Sequence, residues 1–203
     1  MDKSVLYPLN MGPALSVVRL VFLALACVAV HASGVNAGQA DTLATRSAQG
    51  AAAMQASRFE EAASIYAELV AQRPEDPGLL MNLGMARYMA GDAPGAVEPL
   101  EKAARLSPGL GPASLFLGSA LVDLGRVDEA IVALRRAVAA LPKNVDARGM
   151  LARACLAATK FAEAAKEFRE LTRLQPDSPG AWYGLTRSYE GIAEHALDAL
   201  QSR

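Results

Sequence analysis

The side chains of this 203-residue chain that could do chemistry are few, and their spacing does not assemble an active site. Only His31 and His195 are present, one near each end. Neither a histidine-based metal site nor a Ser-His-Asp arrangement can be built from them. Cys27 and Cys155 are the only cysteines, and Cys155 falls on an apolar helical stripe, where a thiol behaves as a small hydrophobe. Glycines recur at regular intervals, but no glycine-rich loop followed by Lys-Ser/Thr offers a phosphate cradle. Glu60-Glu61, Asp128-Glu129 and Glu163 each stand at the start of an expected helix, where the positive end of the helix dipole favours a carboxylate without any catalytic role. The expectation is therefore no catalytic residue, no metal ligand and no cofactor. A net charge of −1 gives no reason to expect nucleic acid as a partner.

The elements that carry these residues follow a repeat. Leu83-Gly84, Gly91, Ala96, Leu100, Ala103 and Pro108 are followed, each 34 positions later, by Leu117-Gly118, Gly125, Ala130, Leu134, Ala137 and Pro142. From Pro77 to Ala90 the apolar residues Leu79, Leu80, Leu83, Met85, Ala86 and Met89 cover more than one stripe at helical spacing, so this helix must be buried on two sides. Gly91-Asp92 ends it, Ala93 to Leu106 supplies a second helix, and Pro108 stops that one. Small residues at Gly84 and Ala96 let the two helices approach closely. The pattern extends upstream in a more polar version, with Gly50, Ala62, Tyr66 and Leu69 in register and Ser57 at the turn. Downstream it continues through Leu151, Ala152, Cys155, Ala164, Phe168 and Leu171, with Thr159 at the turn. After Pro176 the register fails, since Ala196 and Leu200 fit a second helix only if the turn is two residues shorter. The last unit is a modified cap or the front of a repeat that has been cut off. Hydrophobic residues at 52% with aromatics at only 5% also favour helices over sheets.

Period and pattern together resemble the tetratricopeptide repeat, a helix–turn–helix unit, from about Asp41 to Tyr189. Trp182, Leu185 and Tyr189 match the family's Trp, Leu and Tyr positions. The resemblance implies an all-α, right-handed superhelix, an α-solenoid of about four repeats over 43–76, 77–110, 111–144 and 145–178, with a partial C-terminal helical segment over 179–203. It also implies a concave groove lined by the first helix of each repeat. At the family's groove positions stand Met81, Asn82, Met85, Tyr88, Met89, Phe116, Met150, Arg153, Tyr183 and Arg187. These make an apolar, methionine-rich face with Asn82, Arg153 and Arg187 as polar exceptions, and flexible thioethers suit varied apolar partners. The family's chaperone-binding members hold a C-terminal carboxylate in a Lys/Asn/Arg clamp. Ser47, Ala51, Pro112 and Phe116 replace that clamp's other residues and only Asn82 matches. The expected partner is a protein or peptide that lays an apolar or amphipathic segment along the groove. The expected function is a non-enzymatic scaffold or adaptor; the alternative is the repeat region of a longer protein whose enzymatic or sensory part lies outside this chain.

The first forty residues differ from the rest. Lys3 and Arg19 precede the apolar run Leu20 to Val30, and small residues follow through Ala37-Gly38, which is the layout of a secretory signal peptide over 1–37. Val30-His31-Ala32 and Val35-Asn36-Ala37 both offer a cut, leaving Ser33 or Gly38 as the first mature residue. An uncleaved anchor is the alternative, although the run is short of the roughly 20 residues a span needs. Ala24-Leu25-Ala26-Cys27 also resembles a bacterial lipoprotein box, with Ala in place of Leu three residues before the cysteine. The expectation is export to the periplasm or beyond, in the cell envelope, with membrane contact only through this leader.

Overall fold

The computed structural model of the protein describes residues 42–202. The leader over 1–37, with its Cys27 and His31, lies outside the described residues. Arg46–Arg203 forms one compact unit; of the remainder only residues 42–45, the first turn of the first helix, are described.

Among the described residues every regular element is a helix, nine in all. The first, α1, spans 42–55. It is followed by α2 (Phe59–Gln72), α3 (Pro77–Met89), α4 (Ala93–Leu106), α5 (Gly111–Asp123), α6 (Val127–Ala140), α7 (Val145–Ala157), α8 (Phe161–Leu174) and α9 (Pro179–Gln201). The starts of α3, α5, α7 and α9 fall 34 residues apart, and so do those of α2, α4, α6 and α8.

Local chemistry sets the boundaries. Asp76 accepts hydrogen bonds from the N–H groups of Gly78 and Leu79, Asp92 from Gly95 and Asn144 from Ala147, so side-chain oxygens satisfy donors that have no partner within the helix. Pro77, Pro94, Pro112 and Pro179 sit in first turns, where a missing N–H costs nothing. The turns between paired helices place one residue at positive φ in each repeat: Ser57 (56°), Gly91 (85°), Gly125 (72°) and Thr159 (56°). The exchange of glycine for Ser57 and Thr159 thus leaves the backbone unaltered, and the side chains bear strain that glycine avoids.

The core is built by repeating one contact. A Cβ added to Gly84 would lie 2.4 Å from Leu100 Cγ, and one on Gly118 would lie 2.5 Å from Leu134 Cγ. In these two repeats a branched side chain of the second helix therefore rests directly on the backbone of the first. Leu100 and Leu134 are fully buried, each contributing about 1.5–3 kcal/mol of apolar burial. One continuous cluster runs from Ala96 on α4 to Leu185 on α9.

Consecutive helices pack antiparallel along the whole array, and in addition α3, α5, α7 and α9 touch one another in succession. The second helices α4, α6 and α8 pack mainly on first helices. A stack drawn together along one edge curves toward that edge, so the first helices face the inner side. The architecture is an α-solenoid.

Two features of the C-terminal half complete the fold. The final segment is one uninterrupted helix of 23 residues, which continues through Gly191, where Phe161 packs against its backbone. Glu167 on α8 is buried and bound to Arg148 of α7 at 2.6 Å.

Candidate binding groove

On the inner face, the expected groove residues divide into two groups. Tyr88 on α3 and Phe116 on α5 meet edge to face, with ring centroids 6.0 Å apart. Both rings are half-buried and pack against the main core cluster, as does Met150 on α7. Burial first, and then the neighbouring Asp123 carboxylate, raises the Tyr88 phenol above its ordinary value. Ser119 donates to the Leu115 carbonyl and lies 3.5 Å from Met150 Sδ, joining the second and third of these helices. Met81 packs against a smaller cluster formed by Leu80, Ala103 and Ala113. Met81, Asn82 and Met85 are half-buried. These positions link repeats and surface the groove at once, which follows from the double stripe on α3.

The second group projects from the surface. Met89 and Arg153 are exposed, and Tyr183 is exposed to 69%. Arg187 is exposed too, but its guanidinium donates to Glu190 at 2.8 Å, a bond that raises its pKa. Arg187 does not line the cavities described next.

A cavity of about 720 Å3 opens between α7 and α9. Met150, Arg153 and Leu156 form one wall and Tyr183 the other, while Phe168 and Leu171 of α8 make the floor. It is open because Gly149, Gly180, Ala181 and Gly184 carry little or no side chain where the two walls face each other. A smaller cavity of about 280 Å3 lies between α5 and α7, bounded by Val122, Val127 and Ala157. Met150 and Arg153 line both cavities, so they form the ridge between them. Arg153 makes no ion pair among the described residues, although the same helix carries the tightly paired Arg148. An unpaired guanidinium between two largely apolar hollows can receive a carboxylate or a backbone carbonyl from a bound chain.

The sequence pointed to Met150, Arg153 and Tyr183 in this region. It gave no sign of Asp146, Gln175 and Ser178 on the rim, because these lie at the ends of helices or in the turn before α9, where helical periodicity carries no signal.

The opposite face holds further hollows. One of about 300 Å3 lies between α4 and α6, with Glu101, Arg105, Glu129 and Arg136 around Val132. Glu101 is half-buried there. Another of about 360 Å3 lies between α6 and α8, where Cys155 is covered by Arg135 and Glu163. Burial pushes the Cys155 thiol up to about 11, so it remains protonated and unreactive at neutral pH. His195 is exposed but stacks edge to face on Phe161 at 4.9 Å. Among the described residues, no group of three His, Cys, Asp or Glu side chains could hold a metal ion, and no helix is long and apolar enough to cross a membrane.

Two-helix units at a 34-residue interval, stacked with their first helices inward, define an α-solenoid scaffold. Tetratricopeptide repeat models match residues 87–140 and 121–189, and another matches 47–110; the chain belongs to the tetratricopeptide repeat family and is a protein-interaction scaffold. It is similar to a crystal structure of MamA protein, with 23% identity over 79% of this chain and 88% of that one at a TM-score of 0.69. MamA 41-end from Desulfovibrio magneticus RS-1 is 19% identical over 79% of this chain and 96% of its own, with a TM-score of 0.63. Likeness at this level of identity shows a common fold. A curated relative, small glutamine-rich tetratricopeptide repeat-containing protein 2 of Mycosarcoma maydis, is 30% identical over 97 residues, 48% of this chain. The match spans 28% of that relative's length.

Proposed function

We propose that the protein is a non-enzymatic adaptor of the cell envelope that holds an apolar or amphipathic segment of a partner protein along its inner face. The observation behind this reading is the pair of hollows that share Met150 and Arg153, with Tyr183 projecting beside them. Half-open apolar space of this size, next to an unpaired cation, suits a chain segment better than a polar metabolite, because each hollow takes an apolar side chain and Arg153 takes a carboxylate or carbonyl. Export to the envelope rests on the leader at 1–37 and is a separate part of the proposal.

The binding part is tested by capture from envelope extracts with the tagged chain, followed by mass spectrometry and affinity measurement on the protein recovered. Tyr183→Ala and Arg153→Ala remove exposed side chains without touching the core, and aromatic and Arg anchors commonly cost upwards of about 1 kcal/mol of binding when truncated. Each variant should weaken the partner at least fivefold, while Val132→Ala on the opposite face should not. Equal affinity in a folded Tyr183/Arg153 double variant would remove the site from the inner face. N-terminal sequencing tests export: a mature start between Ser33 and Gln39, or an acylated Cys27, supports it, and intact Met1 on soluble cytoplasmic protein overturns it.

A further inference from the structure

Among the described residues, a continuous apolar stripe is left open on α9, away from the residues that line the inner cavities. Trp182, Tyr189 and Leu200 are 52%, 49% and 69% exposed. With the exposed Thr186, Ala193 and Ala196 they recur at intervals of four and three residues, so they form one stripe about 27 Å long and free of charge. In the preceding repeats the register of the stripe's first half, through Tyr189, is largely covered. Thirty-four and sixty-eight residues before Tyr189 stand Cys155 and Leu121, both buried, and sixty-eight before Trp182 stands the buried Ser114. The second helix of each unit covers those positions, and α9 has no such helix beside it among the described residues.

An ordinary second helix would fit this face poorly. At Gly84, Gly118 and Ala152 a small residue admits the apolar side chain of the partner helix, and Thr186 holds the equivalent place on α9. A shallower helix-on-helix contact is what this stripe can accept. Its residues are also arranged symmetrically about Gly191: Trp182 and Leu200 lie nine positions to either side, Thr186 and Ala196 five, Tyr189 and Ala193 two.

We propose that α9 is a dimerisation helix that pairs antiparallel with α9 of a second copy of this chain. In that pairing Trp182 meets the partner's Leu200, Thr186 meets the partner's Ala196, and Tyr189 meets the partner's Ala193. A large residue faces a smaller one at the two aromatic positions, as close packing requires, and the contact is isologous, so it closes after two copies. Trp182, Tyr189 and Leu200, with the small residues between them, leave about 500 Å2 open per copy, or about 1,000 Å2 over a pair, the lower limit for a specific interface. The contact is thus a modest one, forming at micromolar concentration.

Sedimentation velocity of the full chain from about 1 to 200 μM tests this, with Ala193→Glu as the variant. Residue 193 is exposed and Glu is a good helix former, so circular dichroism should not change. The wild type should pass from monomer to dimer, and Ala193→Glu should shift the midpoint at least tenfold upward. Register is read by mixing Tyr189→Cys and Ala193→Cys chains in a Cys27→Ser background under mild oxidation; the buried Cys155 does not compete. The mixture should crosslink faster than either chain alone. A wild type that stays monomeric, a dimer indifferent to Ala193→Glu, or faster crosslinking of Tyr189→Cys with itself overturns the proposal. So does a monomer that binds phosphatidylcholine vesicles through the same stripe, since the occupant would then be lipid.

Discussion

Pro99 lies inside α4, and Arg87 of the neighbouring helix compensates for what the proline removes. A residue at position 99 would normally donate its N–H to the carbonyl of Gly95; proline has no N–H, so that acceptor is left without its helical partner. Arg87 Nη1 donates to the same Gly95 oxygen at 2.9 Å. Arg87→Met keeps most of the side-chain stem and removes the donor. A hydrogen bond from a charged group contributes about 1.5–3 kcal/mol, and the half-buried setting of both residues lets water recover part of that, so the expected loss is about 1 kcal/mol. In a Pro99→Ala background the backbone N–H returns and Gly95 no longer needs the guanidinium. There Arg87→Met should cost only a few tenths of a kcal/mol. Pro99→Ala by itself should change little. It relieves a helix-interior proline, a gain of up to about 3 kcal/mol, but loses the buried ring and the stiffening of the unfolded chain. Urea titration of the four proteins gives the coupling directly, and 1 kcal/mol corresponds to about 2–4 °C in Tm for a chain of this size. An equal loss on removing Arg87 in both backgrounds would refute the compensation.

Four further outcomes are expected. Gly118→Ala should destabilise by about 1–2 kcal/mol in thermal melts, because its Cβ would lie 2.5 Å from the immobile Leu134, while Gly180→Ala, with nothing within 4 Å, should stabilise by about 0.5 kcal/mol. Thr159→Gly should raise stability by about 0.5–1 kcal/mol, the relief of a β-branched residue at φ 56° less the entropy that glycine adds to the unfolded chain. Glu167→Ala leaves a half-buried Arg148 with only the Pro142 carbonyl as partner, so it should cost about 2 kcal/mol, yet Arg148→Met with Glu167→Leu should come within about 1 kcal/mol of wild type. Cys155 titrates near 9 when unfolded and about 11 when folded, so its contribution is complete below pH 9 and lost as pH rises toward 11; Cys155→Ala should flatten the alkaline part of a Tm-against-pH curve.

The repeat was legible because the same physical demand recurs at a fixed interval. A leucine that rests on a backbone needs glycine opposite it, and Gly84 with Leu100 and Gly118 with Leu134 display both partners in the sequence. Turn positions were legible for the same reason at Gly91 and Gly125 and less so at Ser57 and Thr159, where the backbone keeps its left-handed conformation without the residue that announces it. The Arg148–Glu167 pair gave no signal, since helical periodicity separates apolar from polar faces and a buried ion pair is polar on both sides. Groove positions were the hardest to read. Tyr88 and Phe116 carry aromatic side chains suited to a partner, yet much of each ring is used to hold α3 against α5, and only the three-dimensional packing divides one ring between the two tasks.

One register position shows how the array reaches its end. It is glycine at Gly50, Gly84 and Gly118, alanine at Ala152 and threonine at Thr186, a progression from no side chain to a branched one. Tyr66, Leu100 and Leu134 lie directly against the three glycines. Phe168 holds the register of Leu100 and Leu134, but its flat ring lies against Gly184 of the next helix, so the glycine that receives it stands two positions before Thr186 on α9. Gly191 likewise receives Phe161. The two aromatic residues of α8 therefore anchor α9 through the face opposite its apolar stripe, and they do so without the contact on which every earlier unit depends. This change of anchoring lets α9 run straight for 23 residues, since its seat on α8 does not require it to turn and cover itself. The same change turns Trp182 and Tyr189 outward, so the residues that most resemble the family's pattern are the ones left uncovered at this end of the described array.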